Sequence, residues 1–406
     1  MSTPTSSVPG TERGDCPFAA AGPTDFDHNS PGLSESTIWG EYAALRTQAR
    51  VNQSSAYGGF YLLTHFADVR AALRDPDTFA SGHGHRVPVV GVPRAIPIDY
   101  DPPLHTEYRQ AMTKALTPDR VRELQPFLRE LIGTLVRDFH DSGGGDAVTG
   151  IALPLPLRVL TEVVGFSGET VARLRALTEE MWGRVNDHDY DEARKDIRTL
   201  IDAEIDRHRT GRIEDYLGWL LTVRVADRPI TDDEAARALI TLAIAGHETT
   251  MNAAGSLMWL LAGDPQLQDQ LRAAPDLAPR YVEEMMRLRT PAQNFARHTT
   301  RAVRVGDVEI PADSRVLLSY AAANRDEEQF PNPDVFDVER VGRGHLGFGW
   351  GIHQCLGALL ARTELKILLE TLCELPPIRL AGEVTFGSLQ GGVHFGPVTL
   401  PLAFAD

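Results

Sequence analysis

The chain of 406 residues carries 40 basic and 56 acidic side chains, which give it a formal net charge of −16. This acidic balance argues against a protein that binds duplex nucleic acid, because such proteins need a basic surface. With 42% hydrophobic residues the chain can bury a sizeable core, and its three cysteines are too few for a disulfide scaffold or a four-cysteine metal site.

The N-terminal segment is polar and rich in Ser, Thr, Pro and Gly. Residues 1–35 therefore predict a flexible arm, and residues 36–406 predict a single domain. The first thirty residues contain no apolar stretch typical of a signal peptide, and no apolar run reaches the roughly 18 residues that a membrane span needs. We therefore expect a cytoplasmic protein.

The first half of the domain alternates short elements with loops before it becomes helical. Residues 58–64 predict a short strand, and Phe66–Arg74 predicts a helix that ends before Asp75-Pro76. Residues 81–103 hold scattered Gly, Pro and His and predict a long loop, a type of segment that often carries function. Residues 104–275 predict mostly helix.

The longest predicted helix begins after Thr231 and ends near Gly263. Thr231 and Glu234 have the spacing of a capping box, and Asp264-Pro265 closes the other end. The middle of this segment is apolar around most of the helix circumference, which is typical of a helix that runs through the interior of a large protein.

The remaining third of the chain predicts strands and one more helix. Residues 303–310 predict two strands around a Gly-Asp turn, residues 358–375 a last helix, and residues 378–404 further strands. The predicted fold class is therefore mainly α with smaller β regions.

The most informative segment is a glycine-rich loop, residues 347–357, directly before the last helix. Glycines allow the backbone to approach a bulky group, and N–H groups at a helix start stabilise a thiolate. A lone cysteine is usually only a core residue. Here, a single thiolate in a glycine-rich loop is the axial ligand that an iron porphyrin needs. The spacing of the four characteristic residues makes the haem interpretation specific: Phe348, Gly351, Cys355 and Gly357.

This loop resembles the haem-binding signature of the cytochrome P450 family, Phe-x-x-Gly-x-x-x-Cys-x-Gly. The resemblance implies the P450 fold, a triangular prism with a long central helix over a haem. It also implies haem b as cofactor, with the Cys355 thiolate as the axial ligand of the iron and Phe348, Gly351 and Gly357 in the binding loop.

A second motif of the family lies on the central helix as Ala245-Gly246-His247-Glu248-Thr249-Thr250. The resemblance implies a local distortion of the helix that makes a groove for dioxygen, with Thr249 hydrogen-bonding dioxygen and Glu248 relaying protons. A zinc helix of the His-Glu-x-x-His type is excluded, because Met251 stands at the second histidine position. A threonine that only bonds the carbonyl four residues earlier would explain Thr249 but not the whole motif.

Other residues match family positions around the haem. Four side chains resemble those that bind the haem propionates, which need cationic partners once they are taken out of water: His105, Arg109, Arg297 and His353. Three further residues match a buried set with a structural role near the haem loop: Glu284, Arg287 and Arg340.

The resemblance implies a monooxygenase that inserts one oxygen atom of O2 into a small organic substrate by hydroxylation or oxidative dealkylation. Electrons would come from NAD(P)H through a separate ferredoxin or flavodoxin and its reductase, for which Lys114, Arg120 and Arg122 are a candidate docking patch. A peroxygenase driven by hydrogen peroxide and a non-catalytic haem sensor are the alternatives, and the acid–alcohol pair on the central helix favours the dioxygen route.

The substrate is the least defined part of this interpretation. Residues 291–297 resemble those of bacterial members that act on small aromatic compounds or terpenoids. The resemblance also assigns pocket walls to residues 81–98, 181–190, 292–296 and 391–395 and to the central helix near Ile244 and Ala245. Three residues of the first loop are candidates for holding an anionic substrate group: His83, His85 and Arg86.

Overall fold

The computed structural model describes residues 21–89, 94–183, 191–340, 344–389 and 392–405, and helices dominate these parts of the chain. The helices are α1 (Ile38–Gln48), α2 (Phe66–Arg74), α3 (Leu104–Thr113), α4 (Pro118–Asp141), α5 (Pro154–Val164), α6 (Gly168–Gly183), α7 (Asp191–Gly211), α8 (Tyr216–Leu220), α9 (Asp232–Gly263), α10 (Pro265–Ala273), α11 (Ala278–Arg289), α12 (Tyr320–Ala323) and α13 (Ala358–Cys373).

The strands are short and lie mainly near the two ends of the chain. They are β1 (Gly22–Thr24), β2 (Val51–Ser54), β3 (Phe60–Leu63), β4 (Phe79–Ala80), β5 (Gly145–Asp146), β6 (Arg224–Val225), β7 (Arg228–Pro229), β8 (Asn294–Thr299), β9 (Val303–Val305), β10 (Val308–Ile310), β11 (Arg315–Ser319), β12 (Ile378–Leu380), β13 (Thr385–Phe386), β14 (Pro397–Thr399) and β15 (Pro401–Phe404).

The largest sheet joins distant parts of the chain in the strand order β1-β2-β3-β11-β8-β4. Strand β11 runs parallel to β3 and antiparallel to β8, so that Leu317 lies opposite both Leu62 and Ala296. These three residues are buried and pack in one hydrophobic cluster. The sheet therefore fixes β8, which carries Arg297, against the N-terminal part of the domain.

The central helix α9 has the ends that its sequence predicts. The N–H of Glu234 donates to the Thr231 hydroxyl at 3.2 Å, and the N–H of Thr231 donates to the Glu234 carboxylate at 2.9 Å, which completes the capping box. The helix continues without interruption to Gly263 and packs against α5, α7 and α11. Most of its residues are buried, as expected of a helix inside the core.

The prediction of a flexible arm is wrong for residues 21–35. Strand β1 pairs with β2, Phe26 and Leu33 are buried, and the Glu35 carboxylate accepts two hydrogen bonds from Arg289 at 2.6 and 2.7 Å. Two apolar side chains and one ion pair are enough to anchor a segment whose composition is otherwise polar. Residues 1–20 lie outside the described part of the chain.

Several other predicted elements are confirmed with small changes in their ends. Residues 58–64 contain β3, and 303–310 form the β9–β10 hairpin, in which Gly306 adopts a φ of 57°. The last helix ends at Cys373. Among the described residues, none of the helices combines the length and the apolar character that crossing a bilayer requires.

Candidate active site

The glycine-rich loop is held in a tight conformation by its own backbone and by α2. The N–H of Cys355 donates to the carbonyl of Phe348 at 2.7 Å. Gly351 adopts a φ of 71°, and a Cβ built on it would lie 2.1 Å from the carbonyl oxygen of Leu73 at the end of α2. Only glycine combines this backbone angle with so close an approach. The loop therefore presents Cys355 from a fixed position.

Solvent can reach the side chain of Cys355 although protein surrounds it. The side chain is exposed, whereas burial raises the pKa of its thiol, and the Gly357 N–H, Arg109 and Arg362 act in the opposite direction. A surface that solvent can reach, surrounded by protein, indicates a sulfur that faces an internal cavity. A cationic ligand of the sulfur, such as a metal ion, would favour the thiolate further.

Four predicted residues converge beside this loop. The Arg109 guanidinium donates to the carbonyl of Gln354 at 2.5 Å, and the rings of His105 and His353 lie 4.4 Å apart. Arg297, from strand β8, donates to the carbonyl of Ala296 at 2.7 Å. A further side chain that sequence reasoning missed, Ser81, lies 2.9 Å from Nε2 of His353.

The positive charges of this cluster have no negative partner among the described residues. Burial and the positive charge of Arg109 lower the pKa of His105 to about 4, and burial and Arg297 lower that of His353 to about 2. Neither ring nitrogen of His105 has a hydrogen-bond partner, and within the described residues no carboxylate pairs with Arg109 or Arg297. A buried arginine and a half-buried one, both without carboxylate partners, match a ligand that brings its own carboxylates.

The motif on α9 presents small residues on an open side. Ala245 and Gly246 are exposed although His247, Glu248 and most of the helix are buried, so this part of the helix is not covered by other described residues. The hydroxyl of Thr249 donates to the carbonyl of Ala245 at 2.7 Å. The predicted distortion does not interrupt the helix, which is continuously α-helical here.

Glu248 has a partner that sequence reasoning did not identify. Its carboxylate makes an ion-pair contact with Nδ1 of His394, and both side chains are buried. His394 belongs to the C-terminal segment, for which the sequence analysis named a pocket-lining turn but no individual residue. A pair of residues so far apart in the sequence leaves no local signal.

The structural set predicted near the haem loop is assembled. Arg287 donates to both oxygens of the Glu284 carboxylate at 2.8 and 2.9 Å, and Nε of Arg340 donates to the same carboxylate at 3.1 Å. Arg287 also donates to the carbonyls of Asn324 and Pro333 at 2.8 and 2.7 Å. These bonds tie α11 to the chain before the glycine-rich loop, as the structural prediction requires.

The predicted docking patch is mostly neutralised. Arg122 pairs with Asp119 at 2.9 Å, Arg120 pairs with Glu123 at 3.4 Å, and the Lys114 ammonium lies 4.6 Å from the centre of the Trp219 ring. Arg120 and Arg122 therefore already have anionic partners on the surface.

The loop histidines have partners inside the protein. His85 lies 2.7 Å from the Asp99 carboxylate, and Nε of Arg86 donates to His85 at 3.2 Å. His83 stacks on His298 with ring centres 3.8 Å apart. The structure thus gives these side chains roles within the loop. Residues 90–93, 184–190 and 390–391, which include parts of the predicted pocket walls, lie outside the described residues.

Within the described residues no three His, Cys, Asp or Glu side chains are arranged to hold a metal ion. The described part of the site instead consists of one cysteine, two arginines without carboxylate partners, two histidines and a helix with an open face. This donor set suits a metal that arrives with most of its ligands already supplied, as iron does in a porphyrin.

Comparison with known proteins identifies the family. A cytochrome P450 model matches residues 276–374. Nocardicin C N-oxygenase from Nocardia uniformis subsp. tsuyamanensis is 34% identical over 380 residues, which cover 89% of this chain and 94% of that protein. The chain belongs to the cytochrome P450 family.

Other members resemble this P450 over nearly their whole length. Mycinamicin IV hydroxylase/epoxidase from Micromonospora griseorubida is 33% identical over 396 residues, 91% of this chain and 96% of that protein. The crystal structure of CYP108D1 from Novosphingobium aromaticivorans DSM12444 matches with a TM-score of 0.81 and 27% identity, covering 91% of this chain and 94% of that one. This P450 is accordingly a monooxygenase with the P450 fold.

The cofactor follows from the family and fits the residues present. P450 enzymes bind haem b through a cysteine thiolate, and the exposed Cys355 of the glycine-rich loop would supply it here. Arg109 and Arg297, which lack carboxylate partners among the described residues, would hold the propionates together with His105. The exposed positions Ala245 and Gly246 leave room on the face of α9.

Proposed function

We propose that this P450 uses dioxygen and electrons from a separate redox partner to oxygenate an organic substrate, with Thr249 and Glu248 delivering protons. The observation that carries this proposal is the acid–alcohol pair on α9 next to the open positions Ala245 and Gly246. A haem carrier or gas sensor has no need of such a pair. The dioxygen route needs protons inside a site shielded from water.

The haem, when bound, supplies the iron centre at which dioxygen is reduced and one oxygen atom is passed to the substrate. The protein itself would hold the haem in position and deliver protons to the site. Cys355 would hold the iron from one side, and Arg109, Arg297 and His105 would fix the porphyrin edge. The Cys355 thiolate would also raise the electron density at that iron.

The Thr249 hydroxyl is suited to handing on a proton. It donates to the carbonyl of Ala245 at 2.7 Å, and rotation about χ1 would turn the same hydroxyl toward the open side of the helix. In that orientation it can donate to a substrate-side oxygen atom or hold a water molecule. Glu248, one residue earlier, is the nearest acid on the helix, and it can restore the proton that the hydroxyl gives up.

Electrons would arrive at the face formed by the glycine-rich loop and α2. Trp350 of that loop lies under two guanidinium groups, with Arg70 4.6 Å and Arg74 5.4 Å from its ring centre. Within the described residues neither arginine forms an ion pair. This face would attract the negative surface of a ferredoxin or flavodoxin reduced by an NAD(P)H-dependent reductase.

The substrate class we propose is an organic molecule of largely apolar character. The face of α9 toward the site is lined by Ala245 and Gly246, and the relatives are an N-oxygenase of nocardicin C and a hydroxylase/epoxidase of mycinamicin IV by their names. Small side chains leave space for a carbon skeleton. A library of aromatic, terpenoid and macrolide compounds, screened for conversion of low-spin to high-spin haem, would identify binders.

The first experiment is the absorption spectrum of the dithionite-reduced protein with carbon monoxide. We expect the strongly red-shifted Soret band of a thiolate-ligated haem, lost in Cys355→Ala. A reduced protein whose spectrum does not depend on Cys355 would refute the assignment.

The second experiment is turnover of Thr249→Ala with a compound from the spin-shift screen. We expect at least about a tenfold lower yield of product per NAD(P)H and a matching release of hydrogen peroxide, because proton delivery contributes roughly 10²–10⁴-fold. Thr371→Ala, which loses the same kind of hydroxyl bond to a carbonyl four residues earlier on α13, is the control and should keep the wild-type yield. Unchanged yield in Thr249→Ala, with peroxide able to replace dioxygen and reductant, would favour a peroxygenase.

A further inference from the structure

The function proposed above gives no role to the contact between Glu248 and His394. The two side chains are 3% and 5% exposed, so neither is solvated by bulk water. Two ionisable groups in such an environment cost free energy unless they compensate each other. The contact between Nδ1 of His394 and Oε2 of Glu248 supplies that compensation.

The segment that carries His394 is fixed by backbone hydrogen bonds on both sides of it. The N–H of Gln293 donates to the carbonyl of Val393 at 2.8 Å, and the N–H of Phe395 donates to the carbonyl of Pro291 at 3.0 Å. His394 thus sits in an antiparallel bridge with Ala292, which leaves its backbone little freedom.

The residues that directly follow His394 in the sequence pack closely against α9. A Cβ built on Gly396 would lie 2.6 Å from Cβ of Asn252, and one built on Gly255 would lie 2.7 Å from Cγ of Pro397. Asn252 is one helical turn after Glu248 and so lies on the same face of α9. Two glycines therefore allow the chain and the helix to approach to a distance at which the imidazole reaches the carboxylate.

The contact requires a proton between the two groups. A bare imidazole nitrogen and a bare carboxylate oxygen would repel each other, so either Nδ1 carries the proton and faces a carboxylate, or the carboxyl group carries it and faces Nδ1. In both cases a proton lies between Nδ1 and the carboxyl group, and the carboxyl group is turned toward His394 in a defined orientation.

We propose that His394 is a positioning residue for Glu248: it fixes the orientation of the carboxyl group that precedes Thr249 on α9. This inference rests on the proposed function, because it assigns His394 a part in the proton delivery that dioxygen chemistry needs. His394 acts through Glu248 and needs no contact with substrate.

The test uses the haem-loaded protein with carbon monoxide as the probe, and therefore does not depend on a known substrate. The C–O stretching band in the infrared spectrum reports the polar groups on the dioxygen side of the haem. We expect His394→Leu and Glu248→Gln each to shift this band in the same direction, and the double variant to shift it no further, because the two residues act as one unit. His394→Gln, whose amide can still donate to Glu248, should lie close to wild type.

The matched control is His208→Gln. His208 is also a buried histidine paired with a carboxylate, at 2.9 Å from Asp215, but it lies at the end of α7 near the start of α9. Its loss should lower the denaturation midpoint without moving the C–O band. A role of His394 that is only structural would likewise lower the midpoint and leave the band in place, and this result would overturn the proposal.

A double-variant cycle in guanidinium unfolding provides the second readout. We expect the destabilisation of His394→Leu combined with Glu248→Gln to be smaller than the sum of the two single effects. Additive effects together with an unshifted C–O band would refute the pairing. A reduced protein without the red-shifted Soret band would instead refute the proposed function, so the two failures are distinguishable.

Discussion

Glu364, on α13, is a buried carboxyl group that the proposed reaction does not use. It is 2% exposed, and its Oε2 atom has no hydrogen-bond partner among the described residues. Burial raises the pKa of Glu364 to about 8, whereas an unfolded chain has a glutamate pKa of about 4.3. The folded protein therefore binds one more proton than the unfolded chain between these two values.

This difference has a definite sign in the stability of the protein. Where the folded state binds more protons, the free energy of unfolding falls as the pH rises. The contribution is complete below about pH 4.3 and is lost as the pH rises through about 8. We expect Glu364→Gln to flatten the dependence of the denaturation midpoint on pH between 5 and 8. Glu370→Gln, which removes a carboxylate that pairs with Arg129 and Lys366 on the surface, is the control and should leave the slope unchanged.

Arg109 and Arg297, which have no carboxylate partner among the described residues, lead to a prediction about haem retention. A hydrogen bond to a charged group contributes roughly 1.5–3 kcal/mol, which corresponds to about 10–100-fold in an equilibrium constant. We expect Arg109→Leu and Arg297→Leu each to accelerate transfer of haem to apomyoglobin by this factor. Arg129→Leu, which breaks a surface pair with Glu370, should transfer haem at the wild-type rate. Equal rates in all three variants would show that these two residues do not hold the propionates.

At the scale of elements, the glycine-rich loop and the segment just before it offer a matched pair of substitutions. Gly351 and Gly344 both adopt a positive φ, of 71° and 68°, but a Cβ at Gly344 would meet nothing within 4 Å, whereas one at Gly351 would collide with the carbonyl of Leu73. Gly344→Ala should cost about 1 kcal/mol, from backbone conformation alone. Gly351→Ala should cost clearly more and lower haem incorporation, because the collision displaces the loop that carries Cys355.

The comparison between Gly344→Ala and Gly351→Ala tests whether the contact with Leu73 positions Cys355. Guanidinium unfolding and the ratio of haem to protein after purification are the measurements. Equal losses at the two positions would mean that the loop moves away from α2 without effect on Cys355, and would contradict the argument that this contact positions the sulfur.

Local patterns carried most of the information that the sequence offered about elements. The ends of α9 follow from the Thr231 capping box and Asp264-Pro265, and the β9–β10 hairpin follows from its Gly-Asp turn. Features that depend on distant pairing had no such signal. Strand β1 forms only because β2 lies beside it, and β11 joins β3 to β8 across most of the chain.

The same limit applied to the active site. Motif spacing identified the cysteine loop and the acid–alcohol pair, but it could not indicate that Glu248 contacts His394 or that Ser81 contacts His353. The sequence also suggested that Arg120 and Arg122 are available for docking. The ion pairs that neutralise them depend on side-chain geometry, which the sequence does not show. Residue types were predictable, and the partners that set their charge and orientation were not.

At the scale of the whole molecule, the distribution of charge matters more than its sum. A protein with a formal net charge of −16 repels an acidic electron donor at long range. Docking of such a donor therefore needs a local positive surface strong enough to act within the Debye length of about 8–10 Å at physiological salt. Arg70 and Arg74 above Trp350 supply such a surface beside the loop that carries Cys355.

This arrangement predicts where charge reversal will slow electron delivery. Arg70→Glu combined with Arg74→Glu should lower the rate of haem reduction by an acidic ferredoxin by at least about tenfold at low salt, because steering by charge changes association rates by 10–10³-fold. The rate that remains should depend less on salt than that of wild type. Arg122→Glu tests the docking patch that the sequence suggested, and we expect little effect from it, since Asp119 already neutralises Arg122 at 2.9 Å. Stopped-flow reduction under carbon monoxide measures all three proteins, and a large loss in Arg122→Glu with none in the double variant would move the docking surface to the start of α4.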